Sequence, residues 1–366
     1  MQRFAVLCFP PQTASHTASS PREHYLQMKG VEFMLKLAMF DAKPYDRPAF
    51  ERYAAEQDMD VKFFEAKLTD DTVSLAAGFD AVIPFVNDEV SAPVIDALCR
   101  QGVRLIAMRC AGYNNVDVRA AQGKLPIVRV PAYSPYAVAE HAMAMLLTIV
   151  RRTHKAYIRT RDFNFSLNNM VGFDLHGKTV GVIGTGRIGR VFIDVCRGFG
   201  MNVIAYDARP DANLDVEYTA LNDLFRRSDV ISLHCPLTDE TYHIIDAYAI
   251  QYMRPGVVLI NTSRGALIDA EALLNGIKDR RIGAACLDVY EEESDLFFED
   301  RSGHIVEDDT LARLISMPNV LITSHQAFLT EEALDAIARI TIENIAAYFK
   351  DGSLPNEVRL KSATKP

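Results

Sequence analysis

The stretch that decides the fold is Thr179–Gly189, which reads TVGVIGTGRIG. Its first five residues form a short apolar run, which is typical of a buried strand. Gly184, Gly186 and Gly189 then form a G-x-G-x-x-G pattern, and a helical pattern continues to about Phe199. In this strand–turn–helix context the glycines permit a tight turn, a close approach of the backbone to a pyrophosphate, and close packing of helix on strand. The stretch therefore predicts a dinucleotide site at a helix N-terminus.

The same alternation of strand and helix repeats along most of the chain. From residue 179 onward, apolar runs read as strands at residues 179–183, 203–206, 230–234, 257–261, 283–289 and 320–323. Earlier runs of the same kind lie at residues 35–40, 61–66, 81–86, 105–110 and 126–130. Alternating strands and helices build parallel sheets that are covered by helices. The predicted fold class is therefore α/β, with two doubly wound parallel-sheet domains, the later one of the Rossmann type and the earlier one flavodoxin-like.

Other segments carry different patterns. Residues 1–33 are polar, small and proline-bearing in large part, which predicts a loose N-terminal extension. Residues 137–162 predict one long helix, and residues 331–349 predict a C-terminal helix. Turn residues near 133–135 and 328–330 are candidate domain boundaries. The pattern alone leaves open where the C-terminal helix packs.

The composition excludes several classes of protein. The formal net charge is −9, and no basic face that would suit a nucleic acid is evident. One basic run reads as a solvated helix face: Arg151, Arg152, Lys155, Arg159 and Arg161. The six cysteines lack C-x-x-C spacing, which favours reduced thiols over a disulfide framework or a metal site. Because no apolar run reaches the ~18 residues that cross a bilayer, we expect a cytoplasmic protein without a membrane partner.

Asp207 indicates which dinucleotide the site accepts. It ends the strand that follows the glycine loop. A carboxylate at this position accepts hydrogen bonds from the ribose hydroxyls and repels a 2′-phosphate, which favours NAD over NADP. Arg209 lies close by in sequence and is the feature that would favour NADP.

Three polar residues follow the ends of Rossmann strands, where open α/β sheets bind ligands. They are Arg264, Glu293 and His325. Histidine can donate a proton to a carbonyl oxygen near neutral pH, and a carboxylate beside it favours the imidazolium. Arginine can hold a substrate carboxylate through paired hydrogen bonds. Together they suit reduction of a keto acid, although spacing alone leaves open that each is an ordinary ion-pairing residue.

Several stretches together resemble the D-2-hydroxyacid dehydrogenase family. They are Arg109–Asp117, Val130–Pro135, the glycine loop, His234–Leu237, Asn261–Asp269, Asp288–Glu291, Asp295–Asp300 and His325–Thr330. The resemblance extends from about Leu35 to Val358, and the Leu296–Asp300 insertion places it nearest to the fermentative, lactate-forming branch.

The resemblance implies roles for individual residues. Arg264 would orient the keto acid, while Glu293 would pair with His325, the group that gives and takes the proton. Tyr133 and the backbone N–H groups of Ala111 and Gly112 would bind the substrate. Positions that contact NAD in relatives match Arg187, Ile188, Asp207, Cys235, Pro236, Thr262 and Asp288, beside the glycines Gly184, Gly186 and Gly189. We also expect Phe85 and Phe328 to line the pocket for the substrate side chain.

The resemblance also implies a domain division and an assembly. The C-terminal helix would return to the first domain. The substrate domain would then comprise residues 34–133 plus 331–366, and the NAD-binding domain residues 134–330. The long helix after Tyr133 would help to form a homodimer, which could pair into a homotetramer.

The expected reaction is reduction of pyruvate to D-lactate by NADH. Two alternatives remain open at this point. A dehydrogenase for a larger 2-keto acid, such as 2-ketoisocaproate or phenylpyruvate, would use the same residues. A non-enzymatic NADH-sensing protein of the same superfamily would not need Arg264, Glu293 and His325 intact.

Overall fold

The computed structural model describes residues 34–291, 297–298 and 300–360. The predicted N-terminal extension, residues 1–33, lies outside the described residues. So does the predicted catalytic residue Glu293. The chain divides into two compact units, Met1–Pro131 with Ile337–Pro366, and Ala132–Ala336. Each unit contains a parallel sheet, which confirms the predicted fold class.

The first unit is built around a five-stranded sheet of order β2-β1-β3-β4-β5, and its strand pairs are parallel. This is the flavodoxin order, whose topological switch point lies between β1 and β3. Its elements are β1 (Leu35–Met39), α1 (Arg47–Ala55), β2 (Met59–Phe63), a 3₁₀ turn (Val73–Ala76), β3 (Ala81–Ile83), α2 (Ala92–Arg100), β4 (Leu105–Ala107), α3 (Val118–Ala121) and β5 (Ile127–Val128).

The strands of the first unit are shorter than the apolar runs that predicted them. The run at 81–86 forms a strand only to Ile83, because Pro84 has no N–H with which to continue the ladder. The run at 105–110 stops at Ala107. The residues beyond these strand ends therefore belong to the loops at the carboxyl edge of the sheet, where Phe85, Met108 and Cys110 are still buried.

The second unit carries a seven-stranded sheet of order β12-β11-β10-β9-β6-β7-β8. Apolar clusters cover it on both faces. The short strand β8 is an element that the sequence patterns did not predict. The elements are α4 (Pro135–Arg151), α5 (Thr153–Arg161), β6 (Thr179–Ile183), α6 (Arg187–Gly198), β7 (Asn202–Tyr206), β8 (Glu217–Tyr218), α7 (Leu221–Arg227), β9 (Val230–Leu233), α8 (Ala247–Tyr252), β10 (Val257–Asn261), a 3₁₀ turn (Gly265–Leu267), α9 (Ala270–Lys278), β11 (Ile282–Leu287), α10 (Asp309–Ser316) and β12 (Val320–Ile322). The last helix, α11 (Glu331–Asp351), begins in the second unit and belongs to the first unit from Ile337 onward.

The prediction of one long helix over residues 137–162 is wrong. The segment forms α4 and α5, which meet at Arg152. Arg152 has a φ of 54°, in the left-handed region, and this interrupts the helical hydrogen bonds. The two helices also differ in burial, because α4 buries an apolar face whereas α5 has no buried residue. A single apolar stripe therefore does not run through both.

The cysteines of the described residues differ in burial. Cys196 and Cys286 are buried free thiols, and Cys99 and Cys235 are half-buried free thiols. Burial raises the pKa of Cys196 to about 12 and that of Cys235 to about 11, so neither forms a thiolate at neutral pH. Among the helices that the structure describes, none has the length and apolar character needed to cross a membrane.

Candidate active site

The glycine loop between β6 and α6 has the geometry of a phosphate-binding turn. Gly184 has a φ of 97°, and a Cβ there would lie 2.6 Å from the Cys235 nitrogen. A Cβ on Gly189 would overlap the carbonyl of Gly184, so α6 packs directly on the turn. A Cβ on Gly186 would meet nothing within 4 Å. The turn is therefore closed on the protein side and open above Gly186, as the approach of a pyrophosphate requires.

Other predicted cofactor residues surround this loop. Arg187 is exposed and Ile188 is half-buried in the first turn of α6, whose N–H groups favour an anion. Cys235 and Pro236 follow β9 beside the Gly184 turn. Thr262, just past β10, has a buried hydroxyl with no hydrogen-bond partner among the described residues. A buried hydroxyl of this kind is costly unless a ligand satisfies it, so the set fits a bound dinucleotide.

The Asp207 carboxylate is held by the glycine loop itself. Its Oδ2 accepts hydrogen bonds from the Thr185 nitrogen at 2.7 Å and the Thr185 hydroxyl at 3.0 Å. Its Oδ1 accepts from the Arg209 nitrogen at 2.8 Å. Burial raises the pKa of Asp207, but these hydrogen bonds and the charge of Arg190 outweigh burial and leave the pKa below its usual value. The carboxylate is therefore ionised and oriented at neutral pH.

Arg264 lies on a turn that Asn261 shapes. The Asn261 amide donates to the Arg264 carbonyl at 2.8 Å and its side-chain oxygen accepts from the Ser263 nitrogen at 3.0 Å. A Cβ on the next residue, Gly265, would overlap the carbonyl of Tyr290, so the turn lies directly against the end of the β11 segment. The Arg264 guanidinium is half-buried and donates to the Ser263 carbonyl at 2.6 Å. Its position is thus set by backbone contacts on both sides.

Three strand ends bring the predicted catalytic segments to one edge of the sheet. Asn261 of β10 is in register with Leu287 of β11, and Leu287 is in register with Ile322 of β12. Because parallel strands end at the same edge, the loops that carry Arg264 and His325 are neighbours of the β11 loop. The His325 nitrogen donates to the Asp288 carbonyl at 2.7 Å.

Asp288 holds the loop that carries His325. Its carboxylate accepts from the Thr323 hydroxyl at 2.6 Å and from the nitrogens of Gln326 and Ala327, both at 2.9 Å. The Nε2 atom of His141, from α4, lies 3.4 Å from the same carboxylate. Burial raises the pKa of Asp288, but these donors outweigh it and keep the pKa below its usual value.

These contacts define what the Asp288 carboxylate does in the structure. Asp288 has no exposed surface, and its oxygens accept hydrogen bonds from internal donors in the loop that carries His325. Its predicted contact with NAD stays a prediction. His325 itself has a φ of 53°, a conformation that costs energy in residues other than glycine and that persists where surrounding contacts enforce it. The Phe298 ring lies 5.7 Å from its imidazole.

Two glutamates that follow β11, Glu291 and Glu293, have to be considered separately. Glu291 Oε1 lies 2.8 Å from Nε2 of His243, so it already has a hydrogen-bond partner. Glu293, the predicted partner of His325, lies outside the described residues, and its role stays a prediction.

The predicted substrate residues fall in both units. In the second unit, the Tyr133 and Phe328 rings meet edge to face at 6.4 Å. In the first unit, Phe85 follows β3 and is buried. Ala111 and Gly112 lie in the loop after β4, where Arg129 donates to the Ala111 carbonyl at 2.6 Å. Within the described part of the chain the N–H groups of Ala111 and Gly112 have no hydrogen-bond acceptor, so they remain available to a ligand.

Comparison with known proteins identifies the family. Residues 143–327 match the model of the D-isomer specific 2-hydroxyacid dehydrogenase NAD binding domain. The chain is 49% identical over 328 residues to D-lactate dehydrogenase of Escherichia coli, covering 88% of this chain and all of that protein. This chain belongs to the D-2-hydroxyacid dehydrogenase family. The dehydrogenase is thus an oxidoreductase that uses NAD.

Solved structures agree with this assignment. The apo-structure of the Escherichia coli enzyme superposes with a TM-score of 0.82, covering 89% of the dehydrogenase and 100% of that chain. The pyruvate reductase of Chlamydomonas reinhardtii gives a TM-score of 0.84 at 42% identity, over 88% and 98% of the two chains. An NAD complexed family member from Lactobacillus delbrueckii ssp. bulgaricus gives 0.76 at 30% identity, over 88% and 100%.

Replacing Asp207 with alanine should weaken the preference of the dehydrogenase for NADH over NADPH. The substitution removes the ionised carboxylate that opposes a 2′-phosphate, while Arg209 remains nearby. The ratio of kcat/KM for the two cofactors measures the effect. Asp194→Ala is the control, because this residue is exposed and lies in α6 away from the loop. An unaltered ratio in Asp207→Ala would show that another residue distinguishes the cofactors.

Several site residues were missed by reasoning from sequence. Asn261 shapes the Arg264 turn, and His141 with Thr323 completes the contacts of Asp288. Asn261 carries a detectable signal, since an amide at the end of a buried strand commonly caps the following turn. His141 carries none, because it lies in a helix remote in sequence from the strand ends.

Proposed function

We propose that the dehydrogenase reduces pyruvate to D-lactate, with His325 as proton donor and Arg264 as the group that binds the substrate carboxylate. The observation that supports this most is the register of β10, β11 and β12, with Asp288 holding the His325 loop at their common edge. The Escherichia coli relative is a D-lactate dehydrogenase, and the Chlamydomonas structure is that of a pyruvate reductase.

In this proposal each side chain has a separate role in the reduction of the keto acid. When NADH is bound, the chemistry it supplies is hydride donation to the keto carbon. His325 places a proton within reach of the carbonyl oxygen, where negative charge develops. Arg264 binds the carboxylate and aligns the carbonyl. Glu293 pairs with His325 in this proposal, and the Ala111 and Gly112 N–H groups with Tyr133 provide further contacts to the substrate.

The proposal also assigns the two units. The substrate domain comprises residues 34–133 plus 331–366, and the NAD-binding domain comprises residues 134–330. The two compact units, which divide at 131/132 and 336/337, support this assignment. Phe85 in the first unit and Phe328 in the second are both large and buried. In this proposal, bulk at each of these positions favours the methyl group of pyruvate over longer side chains.

A panel of 2-keto acids tests this function. The purified dehydrogenase should oxidise NADH with pyruvate at a higher kcat/KM than with 2-ketoisocaproate or phenylpyruvate, and the product should be the D isomer. If kcat/KM were higher for the larger acids, the proposal that pyruvate is the substrate would be wrong. NADH binding without turnover of any 2-keto acid would instead favour an NADH-sensing role.

We further propose that the dehydrogenase forms a homodimer, which could pair into a tetramer, and that it works in the cytoplasm. A run of apolar side chains around α5 is exposed in the single chain: Tyr157, Ile158, Phe163, Phe165, Leu167 and Val171. So many exposed apolar side chains in one segment support an interface between subunits. The molar mass in solution tests the assembly. The free thiols of Cys99, Cys196, Cys235 and Cys286 suit a reducing compartment.

A further inference from the structure

Phe85 occupies the place in the first unit where an open α/β sheet binds its ligand. It follows β3, and Asp41 follows the neighbouring strand β1. These two strands flank the topological switch point of the sheet. A side chain at the carboxyl end of β3 is therefore suited to act as one wall of a binding crevice.

The backbone of Phe85 is fixed on both sides by side chains. Asp88 accepts a hydrogen bond from the Phe85 nitrogen at 2.5 Å and from the Leu68 nitrogen at 2.6 Å. The Asn115 amide donates to the Phe85 carbonyl at 2.8 Å and to the Asp88 carbonyl at 2.7 Å. The peptide groups on both sides of Phe85 therefore cannot rotate without breaking these bonds.

The ring of Phe85 is fixed by Arg109. The guanidinium carbon lies 4.0 Å from the ring centroid, in cation–π geometry. Arg109 is only 2% exposed, and its Nη2 donates to the Asp41 carbonyl at 2.7 Å. Its Nη1 lies 3.6 Å from the carboxylate of Asp46. Because these backbone and carboxylate groups hold the Arg109 guanidinium in place, the guanidinium in turn restricts movement of the Phe85 ring.

Burial of the charged groups around Arg109 costs free energy. Asp41, Asp46 and Asp88 are each at most 3% exposed, and burial raises the pKa of Asp88 to about 7 despite its hydrogen bonds. Apolar residues of similar volume often stabilise a fold at least as well as a buried ionic group. The cluster therefore calls for a role besides stability.

We propose that Arg109, Asp88 and Asn115 are positioning residues that hold the Phe85 ring as a rigid wall and so exclude 2-keto acids with side chains larger than that of pyruvate. This inference rests on the proposed function. A ring alone discriminates weakly if it can swing aside, because the cost of admitting a larger side chain is then only the cost of moving the ring. Fixing the ring at its backbone and its face makes that displacement unfavourable.

The test compares Arg109→Lys and Asn115→Ala with the unmodified dehydrogenase. The lysine variant keeps the charge near Asp41 and Asp46 but loses the planar group that covers the ring. The measured quantity is the ratio of kcat/KM for pyruvate to that for 2-ketoisocaproate. We expect this ratio to fall about 10-fold in each variant, through a lower KM for 2-ketoisocaproate, with the KM for NADH unchanged. Phe85→Ala removes the ring and should give the largest fall in this ratio. In the Phe85→Ala background, Arg109→Lys should cause no further fall.

Arg104→Lys is the matched control. Arg104 belongs to the same unit and also lies over an aromatic ring, that of Phe349, at 4.4 Å. Its substitution should leave the selectivity ratio unchanged. If either Arg109→Lys or Asn115→Ala folds and its selectivity ratio is unchanged, the proposal is wrong. If Arg109→Lys does not fold, the selectivity ratio of Asn115→Ala tests the proposal by itself. Unmodified protein that reduces no 2-keto acid overturns the proposed function instead, so the two failures are distinguishable.

Discussion

Replacing His325 with glutamine is expected to lower kcat for pyruvate by about 10²–10⁴-fold while affinity for NADH is retained. Glutamine cannot carry a proton to the carbonyl oxygen, whereas the glycine loop and Asp207 are untouched by the change. Steady-state kinetics gives kcat, and quenching or enhancement of NADH fluorescence on binding gives the affinity. An unchanged kcat would remove His325 from the mechanism.

The left-handed backbone of His325 calls for a second variant. Its φ of 53° is better tolerated by asparagine than by glutamine. His325→Asn should therefore lose as much turnover as His325→Gln with less cost to stability. If only the glutamine variant were inactive, backbone strain rather than proton donation would explain the loss. His304→Gln is a neutral control, because His304 is exposed in the same unit.

Replacing Gly265 with alanine is expected to lower kcat/KM for pyruvate by about 100-fold. The added Cβ would overlap the carbonyl of Tyr290 and approach the nitrogen of Glu291, and backbone atoms there have no room to move aside. The turn must therefore shift, and Arg264 shifts with it. The overlap should also lower the free energy of unfolding by about 1–3 kcal/mol, which denaturant titration measures.

Gly198→Ala is the matched control for this substitution. Gly198 ends α6 in the same unit, and a Cβ there would meet nothing within 4 Å. Alanine is the better helix former, so stability should be unchanged or rise by up to about 1 kcal/mol. Gly265→Ala protein with full activity would show that the Arg264 turn can relax without moving the guanidinium.

The fold was predictable from sequence in those places where the decisive signal is local. The β6 run and its three glycines lie within a few residues of each other, so one short segment carries both the strand and the turn. The strand ends were less predictable, because Pro84 stops β3 inside an apolar run. The break at Arg152 was missed because a single left-handed residue leaves no mark on the apolar pattern.

The candidate site was predictable to a smaller extent. Arg264 and His325 were identifiable because each follows a strand, and β-sheet topology brings strand ends together. The contacts of Asp288 could not be predicted from sequence. An aspartate that follows a strand gives the same sequence pattern whether its carboxylate faces a cofactor or the protein interior. Its donors come from α4, from Thr323 and from the loop after β12, segments that are distant from it in the chain.

By itself, the sequence determined the α/β class, the glycine loop and the residue types available for keto-acid chemistry, because these depend on periodicity and on side chains within a short segment. The tertiary structure alone decided which groups hold those residues: Asp288 behind His325, Gly265 against Tyr290, and Arg109 over Phe85. Each of these contacts joins segments separated along the chain, and their formation depends on burial and strand register, which no local pattern specifies.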